Sequence, residues 1–218
     1  MNFFITGTDT NAGKTFCTAL LTRALRGKGF ETIALKPLCS GPRDDVEILQ
    51  TASGQRLSLD ETNPVWLQAP AAPLVAASLE NRTIALDALD AWFRNLSQKH
   101  PSLLVEGAGG WLVPITPTET IADLAARISL PVILVVVNRL GCINHTLLTL
   151  ESIRARGLQC PGIILNTFSN SDDIATRTNR DILEQNTPIL LEVHPGQTEI
   201  PPPELAHFLY QAISPRTS

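Results

Sequence analysis

Long apolar runs are missing from this chain. The longest, residues 130–137 with Pro131 near its start, falls far short of the ~20 residues that cross a bilayer. No basic segment with an apolar run precedes the first strand, so no secretory leader is read and the cytoplasm is the expected location. Lysine and arginine form no cluster, and a net charge of -4 offers no field for a polyanion, so neither nucleic acid nor a membrane is an expected partner. Cysteine is scarce: Cys17, Cys39, Cys142 and Cys160 lie far apart, without a Cys-x-x-Cys pair or a histidine at ligand spacing. They read as reduced thiols that mostly pack. His100, His145, His194 and His207 have no mutual metal-site spacing and read as surface or packing residues. No Ser/His/Asp or Cys/His constellation stands out; Cys142 and His145 lie about one helical turn apart, which does not make a nucleophile and its base. Internal repeats and low-complexity tracts are absent as well.

What is present is a balance of 44% apolar and 17% charged residues over 218 positions, enough to bury one sizeable core, and 1–218 is read as one domain. Short, continuous apolar runs rich in Ile, Leu and Val recur at 2–6, 32–35, 102–105, 132–137, 162–165 and 189–193. Continuous rather than alternating runs suit strands buried on both faces. Helical candidates lie between them at 14–27, about 44–52, 71–79, 84–98, 121–128, 144–156, 172–185 and 203–213. The Pro-rich patches 63–73 and 199–203 read as loops. This alternation predicts an α/β fold with a mostly parallel sheet flanked by helices. Ligands in such folds bind outside the carboxyl ends of the strands.

At that edge lies the most informative motif, Gly7-Thr8-Asp9-Thr10-Asn11-Ala12-Gly13-Lys14-Thr15, between an apolar run and a helix-like stretch. Glycine lets backbone N–H groups approach anionic oxygens, Lys14 supplies a point charge for β/γ-phosphates, and the Thr15 hydroxyl is a ligand for Mg2+. The sequence therefore predicts a P-loop NTPase-like domain. Five residues separate Gly7 from Gly13 where four are usual, with Thr8 where the first glycine is expected.

Other chemistry-bearing residues fall at the same edge. Glu106 ends the run Leu103-Leu104-Val105 and precedes Gly107-Ala108-Gly109-Gly110, a position that reaches a metal held by the phosphate loop. A second carboxylate for the metal comes from Asp44 or Asp45 at a helix start, against the plainer reading of either one as only a cap. Lys36 follows Ala34-Leu35 and precedes Pro37, so a second cation emerges beside the loop, able to spread over the γ-phosphoryl charge. Ser40, in the loop after it, is a donor for a substrate anion. Gly141 and Asn144 lie at a helix start that suits a carboxylate or phosphate, although Asn144 reads equally as a plain N-cap. Trp111 reads as a core or interface aromatic.

Taken together, the phosphate loop, Lys36-Pro37 with Ser40-Gly41, Val105-Glu106-Gly107-Ala108-Gly109-Gly110-Trp111 and Leu140-Gly141-Cys142-Ile143-Asn144-His145 resemble the dethiobiotin synthetases. The similarity runs in order from residue 2 to about residue 170. It implies ATP- and Mg2+-dependent capture of CO2 by the vicinal diamine 7,8-diaminopelargonate and closure of a cyclic urea through a carbamate and a carbamic-phosphoric anhydride. It also implies a homodimer with composite active sites. Carried over by position, Asn11, Ala12, Gly13, Lys14, Thr15 and Phe16 surround the nucleotide with Gly107, Ala108 and Gly109, while Asn166 recognises adenine. Thr15, Asp45 and Glu106 hold Mg2+; Lys36, Lys14 and Thr10 serve catalysis; Thr10, Lys36 and Ser40 face the diamine and carbamate. Gly141, Cys142 and Asn144 receive the carboxylate tail of substrate bound to the other subunit. Three departures from the family pattern are Ala12 for a commoner Val, no Asn just ahead of the metal aspartate, and no glycine before Glu192 in 188–195.

A partitioning or site-selecting ATPase is the competing class on the same fold. Such switches carry a second lysine early in the loop, where this chain has Asp9 and its neighbours, and a basic or amphipathic tail, where 203–218 offers only Arg216 as a cation. An amidotransferase synthetase of the same superfamily needs a glutaminase domain for which 218 residues leave no room.

Overall fold

The computed structural model describes residues 1–168 and 173–213. Strands β1 (Asn2–Gly7), β2 (Thr32–Leu35), β5 (Ser102–Glu106), β6 (Val132–Val137), β7 (Gly162–Asn166) and β8 (Ile189–Val193) form one sheet in the order β2-β5-β1-β6-β7-β8. Every pairing in it is parallel. Helices α1 (Lys14–Gly27), α2 (Asp44–Ala52), α3 (Leu59–Thr62), α4 (Pro73–Leu79), α5 (Leu86–Lys99), α6 (Ile121–Ile128), α7 (Cys142–Ala155), α8 (Ile174–Glu184) and α9 (Pro202–Ile213) flank it.

Both faces of the sheet are covered, which is why its strands are apolar throughout. Neighbouring residues on a strand point to opposite faces. Phe4, Leu103 and Val105 therefore pack with α5 and α6 through Leu89, Phe93, Ile121 and Leu124. Phe3, Ile5 and Leu104 pack the other way, against Cys17, Leu20, Leu21 and Phe208 from α1 and α9. Chain order reverses direction across the sheet at β1, whose neighbours are β5 on one side and β6 on the other, and a crevice opens there at the carboxyl ends. The phosphate loop leaves β1 at this switch point.

The six long strands match the predicted runs to within a residue at each end. Two short strands do not. Leu38–Ser40 (β3) and Val65–Leu67 (β4) pair in parallel as a separate sheet, where the sequence reading has the loop that carries Ser40 and the Pro-rich loop 63–73. Three residues carry no readable period, and their pairing is fixed by a partner far along the chain. The four-residue α3 was also not anticipated, although Ser58 and Glu61 form a reciprocal capping box around its start. Helix α7 starts at Cys142 rather than at 144, because Gly141 is the N-cap with φ 89°. Asp172 of the expected eighth helix and Arg216 of the expected tail lie outside the described residues. Among the described residues no helix is long and apolar enough to cross a membrane.

Candidate functional site

The phosphate loop bridges β1 and α1. Thr8 N–H donates to the Val135 carbonyl of β6 (3.0 Å), which pins the loop's origin. Asn11 and Gly13 adopt positive φ, 60° and 82°. Asn166, the last residue of β7, is buried and donates its amide to the Ala12 carbonyl (3.0 Å), so β7 holds the loop from behind. Lys14 is buried and folds back to donate to the Asp9 carbonyl (3.3 Å). Burial lowers the Lys14 pKa, and the Glu106 carboxylate only partly offsets it.

Lys36 follows β2 and Glu106 ends β5, on adjacent parallel strands. The Lys36 ammonium donates to Asp45 Oδ2 and to Glu106 Oε1, both at 2.6 Å. Thr15 Oγ1 donates to the same Glu106 oxygen at 2.7 Å. Burial pulls the Lys36 ammonium down, but its contacts with Glu106 and Asp45 outweigh this and set its pKa above the ordinary lysine range. Burial pushes the Asp45 carboxyl up, and Lys36 with the Thr15 hydroxyl reverses that to a net lowering. Both groups are therefore charged at neutral pH.

Asp44 and Asp45 part company here. Asp45 faces Lys36, whereas Asp44 is exposed on the first turn of α2. Thr15, Asp45 and Glu106 thus present three hard oxygen donors at one point. Mg2+ takes one or two carboxylates and leaves other positions to phosphate oxygens, so a ring of three carboxylates is not required. Among the described residues no cluster of three His, Cys, Asp or Glu side chains forms a metal site. Glu106 Oε2 is fully buried and has no hydrogen-bond partner, which leaves a lone pair free for a cation. The residues fit the ion.

Two clefts meet at this point. One of about 450 Å³ is lined by Thr10, Asn11, Gly13, Lys14, Thr15, Phe16, Lys36, Asp45 and Gly109, together with Ala19, Arg23, Ile48 and Phe168. The last four were not selected in the sequence. Ile48 lies one turn after Asp45, and Ala19 and Arg23 lie one and two turns after Thr15, so helical spacing from the chosen residues points to them. Phe168 carries no such signal. A second cleft of about 630 Å³ shares Thr10, Asn11, Lys36, Asp45 and Gly109 and adds Ser40, Ala108, Val113 and the segment 70–73. Ser40 Oγ is buried there without a partner.

Not every selected residue lies in these clefts. Gly107 packs against Phe4 and Ile121, where a Cβ would stand 3.0–3.2 Å from their side chains. Trp111 is core, edge-on to Phe4 with ring centroids 6.5 Å apart. Gly141, Cys142 and Asn144 open α7 and line neither cleft; Arg139, just before them, reaches Asp9 of the phosphate loop (3.3 Å). Asn144 is exposed and is not the N-cap, so the plain capping role falls away. Cys142 is buried, and burial raises its thiol pKa.

A family described as AAA domain matches residues 1–197. Among the relatives, the ATP-dependent dethiobiotin synthetase BioD of Akkermansia muciniphila is 44% identical over 198 residues, covering 90% of this chain and 93% of the relative. The proteins of the same name from Cellvibrio japonicus and Aquifex aeolicus are 41% and 43% identical over 202 and 192 residues. They cover 89% and 87% of this chain, and 85% and 86% of the relatives. Solved structures show the same fold at lower identity. The septum site-determining protein MinD of Pyrococcus horikoshii, complexed with Mg-ADP, has a TM-score of 0.58 at 19% identity, covering 90% of this chain and 82% of that one. A ParA family ATPase of Chlorobium tepidum has 0.54 at 12%, covering 97% and 92%. The sheet, its phosphate loop and the relatives agree, and the chain belongs to the dethiobiotin synthetase family.

Proposed function

We propose that this chain, acting as one domain over 1–218 in the cytoplasm, closes the ureido ring of dethiobiotin from 7,8-diaminopelargonate, CO2 and ATP. The observation that carries the reading is the convergence of the Lys36 ammonium, the Thr15 hydroxyl and the Asp45 and Glu106 carboxylates at the rim of the phosphate loop. One diamine nitrogen adds to CO2 and loses a proton, giving a carbamate. A carbamate oxygen attacks the γ-phosphorus and ADP leaves. The second amine then attacks the carbonyl carbon, phosphate departs, and the cyclic urea remains.

The chain's part in this is positioning and charge. Lys14 and Lys36 flank the transferring phosphoryl group, where two cations stabilise charge that develops in the transition state. Thr10 and Ser40 face the diamine and carbamate from the second cleft, and the unpaired, buried Ser40 hydroxyl supports that role. Asn11, Gly13, Thr15 and Phe16 surround the nucleotide with Ala108 and Gly109, while Ala12, Gly107 and Asn166 line neither cleft and act on it through the backbone of the loop and the packing behind it, Asn166 being the residue proposed to recognise the base. Thr15, Asp45 and Glu106 would hold Mg2+, which would supply charge neutralisation on the phosphates.

Purified full-length protein with ATP, Mg2+ and bicarbonate is expected to release ADP and phosphate only when the diamine is added. Folded protein that hydrolyses ATP equally with and without diamine sinks the reading.

The tail site is proposed to come from a second subunit, through Gly141, Cys142 and Asn144. Exposed Leu140 beside this helix start supports a dimer contact, as do Leu112 and Leu148 lining a neighbouring 400 Å³ cleft. A hydrogen bond to a charged carboxylate contributes about 1.5–3 kcal/mol, so Asn144→Ala should raise the diamine KM about tenfold or more and leave the ATP KM unchanged. An unaltered diamine KM, or a strict monomer in sedimentation, rejects the shared site.

A further inference from the structure

Arg43 stands just before the site, and the geometry ties both halves of the Lys36–Asp45 pair to this one residue, Asp45 through its backbone carbonyl and Lys36 through its guanidinium. On one side, the Arg43 carbonyl accepts from Val46 and Glu47 N–H (2.9 and 3.2 Å), which opens α2 and so places Asp45 two residues on. On the other, Arg43 Nε donates to Asn63 Oδ1 (3.1 Å), while Asn63 Nδ2 donates to the Lys36 carbonyl (2.8 Å) and to the Val65 carbonyl (3.0 Å). The Thr62 carbonyl accepts from Lys36 N–H (3.0 Å), so the segment carrying Asn63 grips Lys36 by both backbone groups.

The guanidinium itself is held at Nε, at Nη2 and over one face. Nη2 donates to the Leu59 and Asn63 carbonyls (3.1 and 3.0 Å) and pairs with Asp60 (2.8 Å). The Trp66 ring of β4 lies 5.2 Å below its central carbon, and Trp66 Nε1 donates to the Gly41 carbonyl (2.9 Å), closing the circle back to the loop before Arg43. The side chain of Arg43 is only 15% exposed. Asp60 is almost fully exposed, so its ion pair adds little; the carbonyl and amide contacts set the position. A planar fork with several fixed donors makes such a junction and an ammonium does not.

We propose that Arg43 is a positioning residue for phosphoryl transfer, setting the separation of the Lys36 ammonium from the Asp45 carboxylate through Asn63. It touches no reacting atom. The inference rests on the function proposed above for its activity readout, and on metal affinity for a readout independent of it.

The test compares full-length Arg43→Lys and Asn63→Asp with the unaltered chain. Arg43→Lys keeps the charge but loses the fork. Asn63→Asp still accepts from Arg43 but can no longer donate to the Lys36 carbonyl. Four quantities are measured: kcat and KM in the diamine assay, the Kd of a fluorescent ATP analogue, Mn2+ affinity by EPR with a non-hydrolysable ATP analogue, and the thermal midpoint. Partners that orient a metal site change affinity or rate by about 10–100-fold. Arg43→Lys is expected to lower kcat and weaken Mn2+ binding in that range, with nucleotide Kd within about threefold. Asn63→Asp is expected to lower kcat similarly while Mn2+ affinity stays near that of the unaltered chain, because α2 keeps its anchor. Variants that lose thermal stability alone, with kcat and Mn2+ affinity unchanged below the transition, overturn the proposal. An unaltered chain that is inactive with the diamine counts against the function instead, and the Mn2+ measurement still decides the role of Arg43.

Discussion

Lys36→Met is expected to lower diamine-dependent turnover by about a thousandfold, the upper end for removing one donor aimed at developing charge, while the ATP analogue binds within about threefold. The methionine stem fills the same volume and removes only the ammonium. In the free protein that ammonium donates to two carboxylates at 2.6 Å, and Glu106 is fully buried. Its loss strands a buried carboxylate, and breaking a buried pair by removing one partner costs about 3–5 kcal/mol. Asp45 is about half exposed and adds little to that figure. Both readouts must therefore move: a lower thermal midpoint without nucleotide, and lost ring closure at temperatures where the variant is folded. Nucleotide affinity is spared because Lys14 opens α1 and Gly13 and the loop N–H groups lie between β1 and α1, in a loop that keeps its anchors at Val135 and Asn166. Turnover within tenfold of the unaltered chain ends the case for Lys36 in catalysis.

How far such a site can be read before folding depends on where its residues lie. Glu106 and Lys36 are visible because each ends an apolar run, and strand ends in parallel sheets point toward the ligand edge. Their meeting at 2.6 Å is not visible, since it needs β2 and β5 to be neighbours although β3 and β4 and four helices intervene in the chain. Asp44 and Asp45 are indistinguishable by type, because consecutive helix positions differ by about 100° and only the packing of α2 decides which one faces inward. Asn144 shows the same limit at a helix start. The left-handed backbone at Gly141 takes the capping position and leaves Asn144 outward. Arg43 was invisible for a different reason: nothing periodic marks a single arginine ahead of a helix, and its side-chain contacts are with Leu59, Asp60, Asn63 and Trp66, a stretch of which only the Pro-rich patch from 63 onward is read, as a loop.

Gly13→Ala tests the phosphate loop with the second large effect. Gly13 has φ +82°, and a left-handed backbone costs a residue with a Cβ roughly 1–2 kcal/mol. Contact adds to this strain. The new Cβ would stand 2.1 Å from Asn166 Nδ2 and 2.8 Å from the Phe168 ring. Phe168 is half exposed and has room to turn away, but Asn166 is buried and its amide is committed to the Ala12 carbonyl. Either Asn166 yields, leaving that carbonyl without its donor at about 1–3 kcal/mol, or the loop backs away from β7. Strain lowers the thermal midpoint, whereas each route moves the N–H groups that meet the phosphates, so ATP affinity is expected to fall by about a hundredfold, within the range that about 1–3 kcal/mol for the displaced donor allows, measured by titration of a fluorescent analogue. Gly157, at the far end of α7, separates strain from contact: its φ is +70°, yet nothing lies within 4 Å of the added Cβ. Gly157→Ala should lower the thermal midpoint and leave ATP affinity unchanged. A Gly13→Ala chain that binds ATP within threefold of the unaltered protein shows that the Asn166 clamp does not shape the nucleotide site.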